Sequence, residues 1–179
     1  EVDEENPNMK SVDGVLFNKD GTRLYCYPAG KQHQAYTIPE TVTWIGADAF
    51  SYNQHLTTLT IPSSVTSIGE FAFAECNNLA NVYCYAEDVP STGGAVFGDV
   101  PTSYWDFQLP IATATLHVPA GSVEKYRTTY PWSEFGFIVP LTEPEPVTFT
   151  KDQMATIILP TAPDASKGKY YRLDRCEKG

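Results

Sequence analysis

YTIPETVTWIGADAFSYNQHLTTL, residues 36–59, is followed directly by TIPSSVTSIGEFAFAECNNLANV, residues 60–82. Set at an offset of 23 residues, the pairs are Ile38/Ile61, Pro39/Pro62, Val42/Val65, Ile45/Ile68 and Gly46/Gly69. They continue as Ala49/Ala72, Phe50/Phe73, Leu56/Leu79 and Leu59/Val82. A period of 20 to 30 residues with apolar matches at each internal landmark is the signature of a solenoid, in which one unit cannot bury its own apolar face and leans on its neighbours.

Within one unit the chemistry changes along the chain. In LTTLTIP, Leu56, Leu59 and Ile61 point one way and Thr58 and Thr60 the other, as in a strand. Pro62 ends that strand because it has no N–H for a ladder, and Ser63 and Ser64 suit a turn. Residues 65–68 form a second extended piece, and Gly69 is expected to let the chain turn sharply. Residues 70–75 (EFAFAE) are expected to make one or two helical turns against the core, being too short for a free helix.

These residues carry a resemblance. IPSSVTSIGEFAFAECNNL is similar to the BspA-like leucine-rich repeats, closely over residues 36–82 and more loosely over residues 6–141. VDGVLFNKDG with a later Leu and Tyr-Pro resembles a variant within such arrays, and VPAGSVEKYR with a later Trp resembles their ends. The resemblance implies a curved solenoid with a parallel strand ladder, exported to the cell surface and used for adhesion or host-protein binding. It brings no catalytic motif. The fold class expected is therefore an α/β repeat solenoid: a strand-rich leucine-rich-repeat superhelix with a parallel ladder, short helical turns and a period of about 23 residues.

The 179 residues carry a net charge of −10. No Lys or Arg occurs between Lys31 and Lys125, an interval holding nine acidic residues and His33, His55 and His117. A surface that grips phosphates needs cations, so nucleic acid and anionic membrane are poor partners, while neutral glycans, cationic protein patches and divalent cations stay open. No apolar run reaches the length of a membrane span, and no signal peptide is present, so export rests on the resemblance alone. Cys26, Cys76, Cys84 and Cys176 lack metal-site or redox spacing. Cys84 takes the inward place of Ile61 and Cys76 that of Asn53, so both read as small buried hydrophobes. No cofactor is implied. Asp13 and Asp20 lack the spacing of a calcium loop and read as turn residues. The histidines lie in no HExxH pattern and no GxSxG nucleophile turn is present, which argues against an enzyme.

Along the chain, residues 5–12 align with the Cys76–Val82 stretch, placing Met9 at Leu79 and Val12 at Val82, like the tail of a further repeat or a minimal cap. Residues 15–27 read as a hairpin around Asn18-Lys19-Asp20-Gly21. A third turn starts at Val82, with Ala95-Val96-Phe97 similar to the AFAF segment. About eleven extra residues separate Cys84 from Val118, assigned to an aromatic insertion over residues 98–111. Residues 119–141 read as a C-terminal cap. There Ser122 is expected to N-cap a short helix, with Glu124 favourable near its positive end. Trp132, Phe135 and Phe137 are expected to cover the end of the core. The array spans residues 1–141, residues 142–146 (TEPEP) form a stiff linker, and residues 147–179 open a β-rich second domain.

Two groups of candidate binding residues emerge. In a stacked ladder, equivalent outward positions line up about 4.8 Å apart: Thr37, Thr60, Tyr83 and His117 in one column, and Ala35, Thr58, Asn81 and Thr115 in the next. The second group is Tyr104, Trp105 and Phe107 of the insertion, residue types that dominate binding hot spots and stack on sugars. Trp44 stands where Ser67 stands in the next unit and reads as exposed or packed under a loop. The expected function is non-catalytic binding of an extracellular protein at the cell surface, with glycan binding through Tyr104 and Trp105, or a passive spacer, as alternatives.

Overall fold

The computed structural model describes residues 1–98 and 110–142. The chain divides into two units, Glu1–Thr142 and Glu143–Gly179, and the architecture given is that of the first. Tyr104, Trp105 and Phe107, the linker beyond Thr142 and the expected second domain lie outside the described residues.

Its strands are β1 (Met9–Val12), β2 (Val15–Asn18), β3 (Arg23–Cys26), β4 (Ala35–Thr37), β5 (Trp44–Ile45), β6 (Thr58–Ile61), β7 (Ser67–Ile68), β8 (Asn81–Cys84), β9 (Ser91–Thr92), β10 (Thr115–Val118) and β11 (Phe137–Pro140). They form two sheets among the described residues. One has the order β1-β2-β3-β5-β7-β9, the other β11-β10-β8-β6-β4. The five-stranded sheet is parallel throughout. Ala35 pairs with Thr58, Thr58 with Asn81 and Asn81 with Thr115, the columns expected from the repeat. Each coil therefore gives a longer strand to one sheet and a two-residue strand to the other.

The core lies between the sheets. Leu59, Ile61, Val82, Cys84, Leu116 and Val118 alternate inward from the five-stranded sheet and are fully buried. Rings stack along the array from coil to coil. Tyr27 lies 5.1 Å from Phe50, Phe50 5.1 Å from Phe73, Phe73 5.5 Å from Phe97, and Phe97 meets Trp132 edge-on at 5.3 Å. Phe97 confirms the third coil. Because Ile61 pairs with Cys84 but Ser67 with Ser91, one of the extra residues sits before β9.

Three local expectations change. Residues 70–75 are turns rather than helix. Their N–H groups reach sideways: Phe71 donates to Gly94 O at 3.1 Å and Phe73 to Val96 O at 2.8 Å, while Ala72 O accepts from Phe50 N at 2.8 Å. Asp48, Phe71 and Ala95 adopt φ of 55°, 54° and 46° at matching places, the conformation that turns alternate amides toward the next coil. Neighbouring coils thus satisfy the groups a helix would have satisfied internally. Gly69 is needed for space rather than for its dihedral freedom. A Cβ there would stand 2.3 Å from Ala47 N, and one at Gly93 2.5 Å from Glu70 N. Third, β1 does not lie in the five-stranded ladder, where matching Met9 to Leu79 had put it. It pairs antiparallel with β2 at the edge of the other sheet, turned by Asp13 and Gly14 at φ 49° and 75°, and Val12 is 56 % exposed. The hairpin of β2 and β3 is present as expected.

At the far end, α1 (Val123–Thr128) packs Tyr126 inward, and Trp132 and Phe135 close the core. The Ser122 hydroxyl does not cap α1. It donates to Glu87 O at 2.7 Å.

Candidate functional site

The inward residues of the five-stranded sheet fix where the others point. Ala35, Thr58, Asn81, Thr115 and Phe137 form one outward column, and Thr37, Thr60, Tyr83, His117 and Val139 the next. The ladder thus brings the six sheet residues Thr37, Thr58, Thr60, Asn81, Tyr83 and His117 onto one face. Thr37 is exposed and the other five are half-buried. None of the ten side chains is charged, in a chain of net charge −10.

The face grades from threonine to aromatic toward β11. The Tyr83 and His117 rings stack with centroids 4.2 Å apart and planes 10° from parallel. His117 Nε2 lies 3.2 Å from Asn81 Oδ1, so the ring donates there as its Nε2–H tautomer. Burial holds the His117 pKa below the ordinary histidine value, keeping the ring neutral. Phe137 was expected to close the core end, but it stands in the Asn81 column at 64 % exposure. The signal was in the sequence: residues 137–140 (FIVP) alternate into a proline as residues 115–119 (TLHVP) do, which marks another strand rather than a cap. Tyr85 is exposed just beyond β8.

Trp44 is neither free nor under a loop. Arg23 Cζ lies 5.6 Å over its ring and Tyr25 meets it edge-on at 5.7 Å, on the six-stranded sheet. Parallel pairing of Arg23 with Trp44 brings them together, a contact invisible without the register.

The face offers packing surface and neutral hydrogen-bonding groups. Among the described residues no group of three or more His, Cys, Asp or Glu is placed to hold a metal ion. Burial pushes the Cys76 thiol up to about 12 and raises that of Cys84, so neither supplies a thiolate nucleophile. Cys76 donates to Phe50 O at 3.1 Å, and both cysteines fill core space as expected. Among the described residues no helix is long and apolar enough to cross a membrane.

The family model of the BspA type leucine rich repeat region matches residues 24–113 in six copies. Among solved structures, a leucine-rich repeat protein from Bacteroides capillosus ATCC 29799 is similar at 26% identity and TM-score 0.52, over 75% of this chain and 99% of that one. A leucine-rich repeat protein from Eubacterium ventriosum ATCC 27560 is similar at 22% identity and TM-score 0.46, over 78% of this chain and 41% of that one. The pneumococcal vaccine antigen PcpA follows at 19% identity and TM-score 0.43, over 79% of this chain. The chain spans 49% of the PcpA chain's length. No curated protein matches the chain.

Proposed function

Because the chain belongs to the BspA-type leucine-rich-repeat family, we propose that it is a non-catalytic binding module of a cell-surface or secreted protein. Its partner is an extracellular protein, held on the outward face of the five-stranded sheet. The observation that supports this reading is the Tyr83–His117 stack, fixed by Asn81 and bordered by an exposed Phe137. Aromatic side chains prepositioned on a rigid sheet lose little entropy on binding and make typical hot spots. An uncharged face within an acidic molecule also admits a partner that the surrounding charge would not repel.

A screen against extracellular-matrix and serum proteins, run beside a glycan array, tests the reading with two variants. A Tyr83→Ala, Phe137→Ala double variant is expected to keep its melting temperature and lose a protein ligand by about 100-fold, in the range of hot-spot truncations. A glycan hit lost instead in a Tyr104→Ala, Trp105→Ala variant would overturn it in favour of sugar binding by the insertion, and silence on both panels would favour a spacer. Acidity gives an independent handle. His117 has a lowered pKa in the folded state, so the contribution of the neutral stack is fully present above the ordinary value of 6.5 and is lost as pH falls through the lowered folded value. Binding is expected to weaken as pH falls through the lowered His117 value, below 6.5, and His117→Gln to flatten that response.

A further inference from the structure

Past the C-terminal ends of β6 and β8, two successive coils border a cleft of about 580 Å³, within the range of roughly 300–1,000 Å³ common to ligand sites. Ser63, Val65 and Thr66 line it from one coil, and Tyr85, Ala86 and Glu87 from the next, with Asp88 at the rim. Val65 and Ala86 are deeply buried and form an apolar floor, while Tyr85 is 48 % exposed and offers its ring. Both walls are internal to the array.

The second wall is pinned from behind. The Tyr126 hydroxyl donates to Ala86 O at 2.9 Å, the Ser122 hydroxyl to Glu87 O at 2.7 Å and Trp132 Nε1 to Pro90 O at 3.3 Å. Tyr85 N donates to Ile61 O of the preceding coil at 3.0 Å. A wall fixed in this way needs little further ordering when a ligand arrives. Asp88 is engaged by Lys125 at 2.8 Å, whereas no ion pair joins Glu87 to a described residue. Lys125 is also the first Lys or Arg in the sequence after Lys31. The cleft therefore combines a free carboxylate, an open aromatic ring, hydroxyls and an apolar floor, and its one neighbouring cation is already paired.

We propose that this cleft takes an arginine side chain from a basic segment of a partner protein. The methylene stem packs on Val65 and Ala86, and the guanidinium stacks on the Tyr85 ring. Its fork of donors reaches the Glu87 carboxylate and the hydroxyl oxygens of the opposite wall, which suits a planar cation better than the point charge of a lysine. The net charge of −10 draws a basic segment toward the molecule. The cleft lies beyond the strand ends, so it stands whether or not the outward face of the sheet binds a ligand.

The probe is Nα-acetyl-arginine methylamide, titrated into the isotope-labelled chain and followed by amide chemical shifts. Saturable shifts confined to residues 63–66 and 85–88 are expected, with a Kd of about 1–10 mM for this single side chain. The citrulline analogue keeps the shape, loses the charge and is expected to move nothing. The lysine analogue is expected to bind about two- to fivefold more weakly. Glu87→Gln and Tyr85→Leu alter exposed side chains, so each is expected to keep the melting temperature and weaken binding about threefold. Tyr85→Phe keeps the ring and is expected to keep the affinity. Lys125→Met releases Asp88 to the ligand and is expected to tighten binding about twofold. Shifts that spread over the acidic surface without saturating, equal binding of citrulline or lysine, or full binding by Glu87→Gln overturns the proposal. Weaker binding by Lys125→Met at an unchanged melting temperature also overturns it.

Discussion

The two ends of the aromatic column are both fully buried but are finished differently. At the C-terminal end, the Trp132 Nε1 donates to Pro90 O at 3.3 Å and the Tyr126 hydroxyl to Ala86 O at 2.9 Å. The edge of β11 is blocked as well: Arg127 donates to Ile138 O at 3.1 Å, and Pro140 has no N–H to offer. At the N-terminal end, Tyr27 is as buried as Trp132, yet its hydroxyl has no partner among the described residues. There the six-stranded sheet continues into a hairpin. The difference teaches that covering apolar rings and satisfying the polar atoms they carry are separate tasks, and that a repeat array can complete one without the other.

Three substitutions probe that contrast. Trp132→Ala is expected to cost the most, about 3–5 kcal/mol in urea unfolding, because it opens the core and frees the Pro90 carbonyl. A loss below about 1 kcal/mol would break the claim that this end is structurally closed. Arg127→Ala comes next. Half of its side chain is exposed, so the direct cost is about 1 kcal/mol, but the variant uncovers the β11 edge and should self-associate in sedimentation experiments. Equal monodispersity of both proteins would mean that Pro140 alone protects that strand. Tyr27→Phe should have the smallest effect and the opposite sign, a gain of up to about 1 kcal/mol from removing an unpaired buried hydroxyl. A comparable loss in thermal unfolding would show that the hydroxyl is satisfied in solution.

What was legible in the sequence was whatever repeated. The 23-residue offset carries the strand register from Thr37 through Thr60 to Tyr83 and the burial of Phe50, Phe73 and Cys84, and the alternation resumed over residues 114–118 adds His117 to the column. Residues 70–75 misled because their spacing suits a helical turn, while the bonds that decide their conformation come from another coil. Met9 and Val12 misled because apolar matching to Leu79 and Val82 outweighed a local Asp13-Gly14 turn signal, and that turn reverses the chain. Phe137 was placed in the core by the expectation that bulk near an array end is cap. Pairing with β10 instead sets it on the outward face of the five-stranded sheet, which sequence spacing could show only once residues 137–140 were read as a strand.

The lateral bonds between coils also set how the molecule answers a pull. They lie along the direction in which coils succeed one another, so tension between residue 1 and residue 142 loads them one coil after another rather than all together. A chain held this way peels. The N-terminal coils should detach first, since α1 and Trp132 tie the other end. Each coil released should lengthen the tether by roughly 75–85 Å, the reach of its 23 residues drawn out at about 3.3–3.6 Å each.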